Sequence, residues 1–309
     1  MDLLLFSKEL YSNTIDEMGD RAAKMGFDGI DLTVRPHLAW RSHVLPEEAK
    51  EKMPQAIDTL NSKGLTVPMI STSITDLSQP YARDTIETAH ECGVKYVKLG
   101  YLNYLKYPSI YESIESARSS LEQIYDLCRE YNITAGLHFH SINPEVYEVA
   151  ASLRGTNPLY ARAGILLMLL KGFSPRWLCV FFDPAHSVVQ GSASVWSTHI
   201  KEGFRLTDWM SLNSWKLDVD LLGRYIKMLQ LKDYEWYLAT DEKTGEKLWK
   251  TRNTGLSDGF TPWPDVVDCL KKLNFDGPVS FNSNLFRLSH EDHVEQIRKD
   301  LEYFKGLIK

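Results

Sequence analysis

Cysteine is scarce: Cys92, Cys128, Cys179 and Cys269 are spread over 309 positions. No two of them form a CxxC pair, which excludes the common zinc and dithiol motifs and leaves no disulfide framework. Buried thiols in a reducing compartment are the expectation, and with them a cytoplasmic location. Long apolar runs are also missing. The best candidate, Ala163–Leu170, is far shorter than the roughly 18 residues that a membrane-spanning helix needs. Met1–Phe6 is apolar but lacks a basic n-region and a cleavage site; a trimmed export signal stays open. Positive charge is in deficit, with a net charge of -6, so nucleic acid is not an expected partner. No GxGxxG follows the first apolar segment, which removes the usual sign of a dinucleotide-binding open sheet.

What the chain does have is a recurring junction. Gly26 follows a helical pattern over Thr14–Met25 and precedes the apolar segment Gly29–Val34. Lys63-Gly64 stands in the same place before Leu65–Ile70, Cys92-Gly93 before Val94–Leu99, and Tyr131-Asn132 before Ile133–Phe139. Asn274-Phe275-Asp276-Gly277 precedes Pro278–Phe281 and echoes Gly26-Phe27-Asp28-Gly29. Gly and Asn take the left-handed turn that closes a helix, and the short β-rich runs after them read as strands.

Adding Leu3–Phe6, Leu178–Phe182 and Tyr225–Leu231 brings the count to eight strands. Amphipathic patterns over Glu47–Lys63, Arg83–Cys92, Ser109–Tyr131 and Pro264–Leu273 separate most of them, and Glu291–Leu307 closes the chain. Strands alternating with helices give right-handed βαβ units, and eight such units predict an α/β protein of the (β/α)8 TIM-barrel type. Size alone would allow two domains, but one barrel reaches this length, so a single domain over 1–309 is expected. A doubly wound open sheet is the alternative. Two connections are long. Ser141–Pro175 carries helical patterns around Glu145–Leu153 and Tyr160–Leu170. Tyr234–Pro262 is polar and follows strand seven, so it is expected over the barrel top as a lid or rim.

The candidate site is organised around Leu178–His186. The apolar run Leu178–Phe182 ends abruptly in Asp183-Pro184-Ala185-His186, which places a carboxylate and an imidazole at the C-terminal end of a strand, where parallel barrels do their chemistry. Alternate residues of a strand share a face. His138 and His140 therefore point together at the end of strand five, Gln230 and Lys232 at the end of strand seven before Asp233, and Asn282 and Asn284 after strand eight. Two imidazoles, a carboxylate, an ammonium and amides around one cavity suit a polyol or a metal.

Each has a plainer reading. Asp183 can cap the next helix, His186 can bond a backbone carbonyl, Lys232-Asp233 can be a solvated turn, and Asn282 can be a turn residue. His37, His43, His199, His290 and His293 read mostly as surface residues. Trp40, Trp236, Trp249 and Trp263 are either aromatic faces for a sugar at the rim or plugs of the loop–barrel junction. Trp236 is the one assigned to substrate.

The spread of motifs resembles a known group. Phe27-Asp28-Gly29-Ile30-Asp31-Leu32, Asp183-Pro184-Ala185-His186, Leu231-Lys232-Asp233 and Phe275-Asp276-Gly277-Pro278 are similar to those of the xylose-isomerase-like TIM barrels, the sugar phosphate isomerase/epimerase family. Phe6-Ser7-Lys8, Asp31-Leu32-Thr33-Val34-Arg35-Pro36 and His43-Val44-Leu45-Pro46 resemble an uncharacterised bacterial branch of it. The resemblance implies a divalent metal (Mn, Mg, Co or Zn) held by Glu, Asp, His and Glu at the ends of strands five to eight. It also implies that the two Glu move a proton beside the sugar carbonyl. Here those positions hold His138, Asp183, Gln230 and Asn282, and His186 matches the family's supporting His. Only Asp183 keeps its family identity among the ligands.

The departure has chemical consequences. Neutral amide ligands weaken the hold on a hard cation, and a His138/Asp183 pair shifts preference toward zinc-like metals. Gln and Asn cannot act as general bases. Any proton transfer falls to His138, His140, His186 or Lys232, with Asp183, Trp236, Gln230 and Asn282 binding substrate. The expected function is a sugar isomerase, epimerase or related lyase on a small carbohydrate. The alternative is a non-catalytic carbohydrate-binding barrel. An endonuclease of the same superfamily is disfavoured by the ligand set and the charge. Self-association stays open.

Overall fold

The computed structural model describes residues 1–37, 42–104, 110–140, 157–158, 163–188, 214–240, 242 and 244–309. The eight expected strands are present: β1 (Leu3–Phe6), β2 (Gly29–Val34), β3 (Thr66–Thr72), β4 (Tyr96–Lys98), β5 (Thr134–His138), β6 (Leu178–Phe182), β7 (Ile226–Leu231) and β8 (Val279–Phe281). All pair in parallel with their sequence neighbours, and β8 pairs with β1, closing the barrel. The fold is therefore the (β/α)8 barrel expected from the alternation.

The recurring junction has the anticipated geometry. Gly26, Gly64, Gly93, Asn132 and Asn274 all have positive φ, between 50° and 88°, so each helix is ended by a left-handed residue before the chain turns into a strand. The first helix, Ile15–Met25, is also fixed at its start. Thr14 and Glu17 form a reciprocal capping box there. The echo of Phe27-Asp28-Gly29 in Phe275-Asp276-Gly277 has a steric reason. A Cβ on Gly29 would lie 2.2 Å from the Thr66 carbonyl oxygen, and one on Gly277 would lie 1.9 Å from that of Lys227. At both places a neighbouring strand passes too close for a side chain.

Strand residues alternate between two cores, with register irregularities in the β2–β3 and β6–β7 pairings. Leu3, Leu5, Ile30, Leu32, Ile70, Val97, Leu137, Val180, Phe182, Leu229, Leu231, Val279 and Phe281 face outward under the helices. Leu4, Met69, Cys179, Phe181 and Met228 fill the barrel interior. Because this apolar plug closes the lower barrel, the next inward layer toward the C-terminal strand ends is free to be polar.

Helices Ala49–Asn61, Ala82–Glu91, Ile110–Glu130, Ala163–Leu170, Ser214–Leu222, Trp263–Lys272 and His290–Ile308 pack outside. The Tyr160–Leu170 pattern is met from Ala163 onward, while Glu145–Leu153 lies outside the described residues. The connection after β7, read as a polar lid or rim, contains regular structure. Asp233–Thr240 and Lys247–Thr254 form a regular antiparallel hairpin. No helix among the described residues is long and apolar enough to cross a membrane.

His293 corrects the surface reading of the scattered histidines. It is buried, and its Nε2 lies 2.7 Å from Glu9 Oε2, itself buried beside the end of β1. A buried carboxylate needs a partner, and the first turn of the last helix supplies it.

Candidate active site

Every strand contributes to one cavity of about 110 Å³ at the C-terminal end of the barrel. Phe6, Asp31, Ser71, Lys98, His138, Phe181, Gln230 and Asn282 come from or directly follow β1 to β8 in turn, and Lys8, Arg35, Tyr101, His140, Lys232 and Asn284 complete the wall. These are inward positions of the alternation; Phe181 is the top of the apolar plug and the others form the layer above it.

The pairs expected from alternation are brought together. His138 and His140 both line the cavity, with ring centroids 5.4 Å apart. Gln230 and Lys232 do so on β7. Asn282 and Asn284 also both reach it, although β8 stops at Phe281 and Asn284 turns left-handed at φ 54°. Asp183 and His186 are fully buried and stand behind this wall, touching the cavity through Lys232 and His138. The solvated-turn reading of Lys232-Asp233 does not hold, since both are buried.

Asp183 is the hub. Its Oδ2 lies 3.2 Å from Lys232 Nζ, 3.6 Å from His138 Nε2 and 3.7 Å from His186 Nε2, and its Oδ1 accepts from the His186 amide. Lys232 Nζ also lies 2.5 Å from His186 Nε2. An ammonium has only donors, so that nitrogen accepts and His186 is neutral, with its proton on Nδ1. Burial, with the surrounding positive charge, holds both His138 and His186 well below the ordinary histidine pKa. Burial raises the Asp183 carboxyl, and Lys232 opposes the rise. On the far side of His138, Nδ1 is 3.1 Å from the Tyr101 hydroxyl. His140 stacks against His186 at a centroid distance of 3.7 Å.

His138, Asp183 and His186 each offer an atom within 4.8 Å of the others, and together they can hold a metal ion. The donor chemistry fits: two neutral imidazoles and a carboxylate suit a zinc-like cation, and the buried His138 Nε2 has no hydrogen-bond partner among the described residues. The Lys232 ammonium already sits between two of the three donors. A metal and Lys232 therefore compete for the Asp183 oxygen and the His186 nitrogen. Replacing Lys232 with Met is expected to tighten zinc binding by about tenfold or more, since it removes a cation a few ångströms from the ion. Calorimetric titration of both proteins with zinc checks this, and equal affinities would detach Lys232 from the metal-binding cluster.

The side of the cavity formed by β2 to β4 was not picked out in the sequence as part of the site. Asp31 is buried, and its Oδ2 accepts from Ser71 (3.1 Å) and Ser280 (2.7 Å), while its Oδ1 has no hydrogen-bond partner among the described residues. Burial raises its pKa to about 6 against those bonds. Lys98 is buried at the end of β4, its pKa lowered to about 7 first by burial and then by Arg35. A signal for both was present: a charged residue at an inward position of an otherwise apolar strand.

Asp233 and Trp263 serve the frame. Asp233 is fully buried and accepts from the amides of Tyr234, Phe260 and Thr261, the Thr261 hydroxyl and the Trp263 indole Nε1 (2.8 Å). Trp263 is thus a plug rather than a rim aromatic. Trp40 and the side chains of Trp236 and Trp249 lie outside the described residues, as does His199.

No curated protein matches this sequence. Several solved structures share its fold. D-psicose 3-epimerase from Clostridium cellulolyticum H10, determined with D-tagatose, superposes with a TM-score of 0.64 over 100% of both chains at 10% identity. A D-allulose 3-epimerase from Methylomonas sp. gives 0.63 over 99% of this chain and 98% of its own at 14% identity. The probable 3-DHS dehydratase from Bacillus anthracis gives 0.59 over 99% of each chain at 14% identity. At such identities the likeness concerns the fold. The sequence itself matches the family described as xylose isomerase-like TIM barrel over residues 20–307. That match spans nearly the whole chain, and the protein belongs to the xylose isomerase-like TIM barrel family.

Proposed function

We propose that the protein is an isomerase or epimerase acting on a small carbohydrate at the C-terminal face of the barrel, by proton transfer at the carbon beside a carbonyl. The observation that carries the reading is the opposition of Asp31 on β2 to the His138–Asp183–Lys232 group on β5 to β7 across one small cavity. The sugar 3-epimerases that share the fold agree with it.

The division of labour follows from the geometry. Asp31 Oδ1 takes the proton from carbon, and a carboxyl with a pKa near 6 is matched to that task at neutral pH. Lys232 donates to the carbonyl oxygen as negative charge develops on it. His138 holds a proton on the opposite wall. His140 closes that wall, and Gln230 and Asn282 accept bonds from substrate hydroxyls through Oε1 and Oδ1, both buried and without partners among the described residues. Asp183 and His186 are positioning residues: they fix Lys232 and His138. When bound at His138, Asp183 and His186, a divalent metal would polarise the substrate's oxygens.

The test is incubation with ketoses, aldoses and sugar acids in deuterated water, read by mass. A gain at the carbon beside the carbonyl is expected, with kcat/KM rising as pH passes upward through about 6, where Asp31 ionises. Asp31→Asn should remove both. A second reading, a non-catalytic sugar-binding barrel, is favoured by the amides at 230 and 282. It prevails if no compound exchanges while sugars still raise the melting temperature.

A further inference from the structure

The wall of the cavity is unbalanced in charge. Among the described residues, Lys8, Arg35, Lys98 and Lys232 line it, against a single lining carboxyl, Asp31. Three carboxylates stand near those four cations. Asp183 pairs with Lys232. Glu9 favours the charged form of Lys8, and Asp31 lies within electrostatic reach of Lys98 and Arg35. Glu9 is shared with His293, and among the described residues Lys98 is the cation of this wall whose ammonium has no acceptor of its own.

Lys98 is held differently from the other three. Its ammonium rests over the Tyr101 ring, 4.5 Å from the centroid, and meets no acceptor atom at hydrogen-bond or ion-pair distance among the described residues. A buried ammonium held only by an aromatic face is costly unless a ligand completes it. Across the same cavity, Gln230 Oε1 and Asn282 Oδ1 are buried acceptors without donors among the described residues. An ammonium without an acceptor calls for an anion, and orphan acceptors call for hydroxyls.

We infer that the ligand of this cavity is a hydroxy acid, a small polyol bearing one carboxylate that Lys98 receives while Gln230 and Asn282 take its hydroxyls. This rests on the carbohydrate reading above and narrows it. A carboxylate brings one negative charge to the one ammonium that lacks an acceptor. A phosphate monoester brings about 1.5 to 2 at neutral pH, more than a single ammonium matches. A neutral sugar brings none and leaves Lys98 without a counter-charge.

The experiment is calorimetric titration of the full-length protein with D-glucuronate, 2-keto-D-gluconate, D-fructose and D-fructose 6-phosphate, with the melting temperature followed in parallel. At least one of the two carboxylates is expected to bind about tenfold or more tighter than D-fructose, the worth of one charge-assisted hydrogen bond. Lys98→Met should abolish that advantage and leave D-fructose affinity unchanged, and Lys98→Gln serves if the Met variant does not fold. D-fructose binding as tightly as the carboxylates would overturn the inference while leaving the sugar reading intact. Preference for the phosphate would overturn it in favour of a sugar phosphate. Failure of all four to bind would remove both the inference and the carbohydrate reading. An advantage that survives in both Lys98 variants would overturn the role given to Lys98.

Discussion

Asp183→Asn is expected to destabilise the protein by about 3–5 kcal/mol and to abolish turnover, because it removes the one charge that the Lys232 ammonium faces in a sealed site. The geometry leaves little room for compensation. Lys232 and Asp183 are 3% and 0% exposed at their side chains, and the other neighbours of the ammonium are neutral imidazoles. An uncompensated buried cation must either deprotonate or draw water into the barrel, and both cost free energy. The double variant Asp183→Asn with Lys232→Met distinguishes charge compensation from simple packing. It removes both charges, so it should recover most of the lost stability without recovering activity. Thermal and denaturant unfolding of the two single variants and the double variant give the coupling energy directly. Additive losses would mean that the pair does not hold the site together.

This expectation also clarifies what remains of the family's metal site. The resemblance predicts four ligands, of which one, Asp183, keeps its identity. The structure adds a reason for the loss of the others to be tolerated: the cation facing Asp183 is supplied by the chain itself, on Lys232. A protein with an internal ammonium between two of its metal donors has less need of three carboxylates around a dication. The same substitution pattern makes the cavity wall positive, which is why the two walls read so differently. One is a neutral imidazole–ammonium relay, and the other is a carboxyl with a pKa near 6 beside Lys98.

The barrel itself was legible because its strands are short and apolar, and five of the eight are preceded by a Gly or Asn that takes positive φ. Those are local signals, and the chain has five such junctions. The end residues His138, Gln230, Lys232 and Asn282 were legible for a second local reason, the period of two along a strand. The same period, carried back to β2, β3 and β4 from the inward Met69 and Leu4, would have picked out Asp31, Ser71 and Lys98. What hid them is that Asp31 lies in the middle of its strand and Lys98 in a strand of only three residues. The distinction between residues that line the cavity and those behind it was not legible. Asp183 and His186 share the strand-end position of the others, but the short helix Pro184–Val188 starts at once and turns them inward. The hairpin after β7 was missed because its alternating Trp, Tyr and Leu are diluted by charged residues and read as a polar loop.

Gly259→Ala is expected to lower stability by about 3 kcal/mol or more, although the change adds one methyl group in a connecting loop. A Cβ at this position would lie 2.1 Å from Asp233 Cγ and 2.5 Å from its Cβ. Ordinary overpacking costs about 1–3 kcal/mol because neighbours shift to new rotamers. Here the neighbour cannot shift cheaply. Asp233 accepts from three backbone amides, a hydroxyl and the Trp263 indole, and moving its carboxylate strands several buried donors at once. The consequences reach the site, because Asp233 directly follows Lys232 and opens the hairpin Asp233–Thr240/Lys247–Thr254. A displaced Asp233 drags the Lys232 backbone and loosens the ammonium from Asp183. Melting temperature and ligand affinity should therefore fall together in Gly259→Ala. A change to Ala at Gly245, a left-handed position with open space around it, should cost only the strain of its backbone, about 1–2 kcal/mol, and leave affinity intact. If Gly259→Ala melts like the wild type, the Asp233 anchor is not rigid and the coupling from loop to site fails with it.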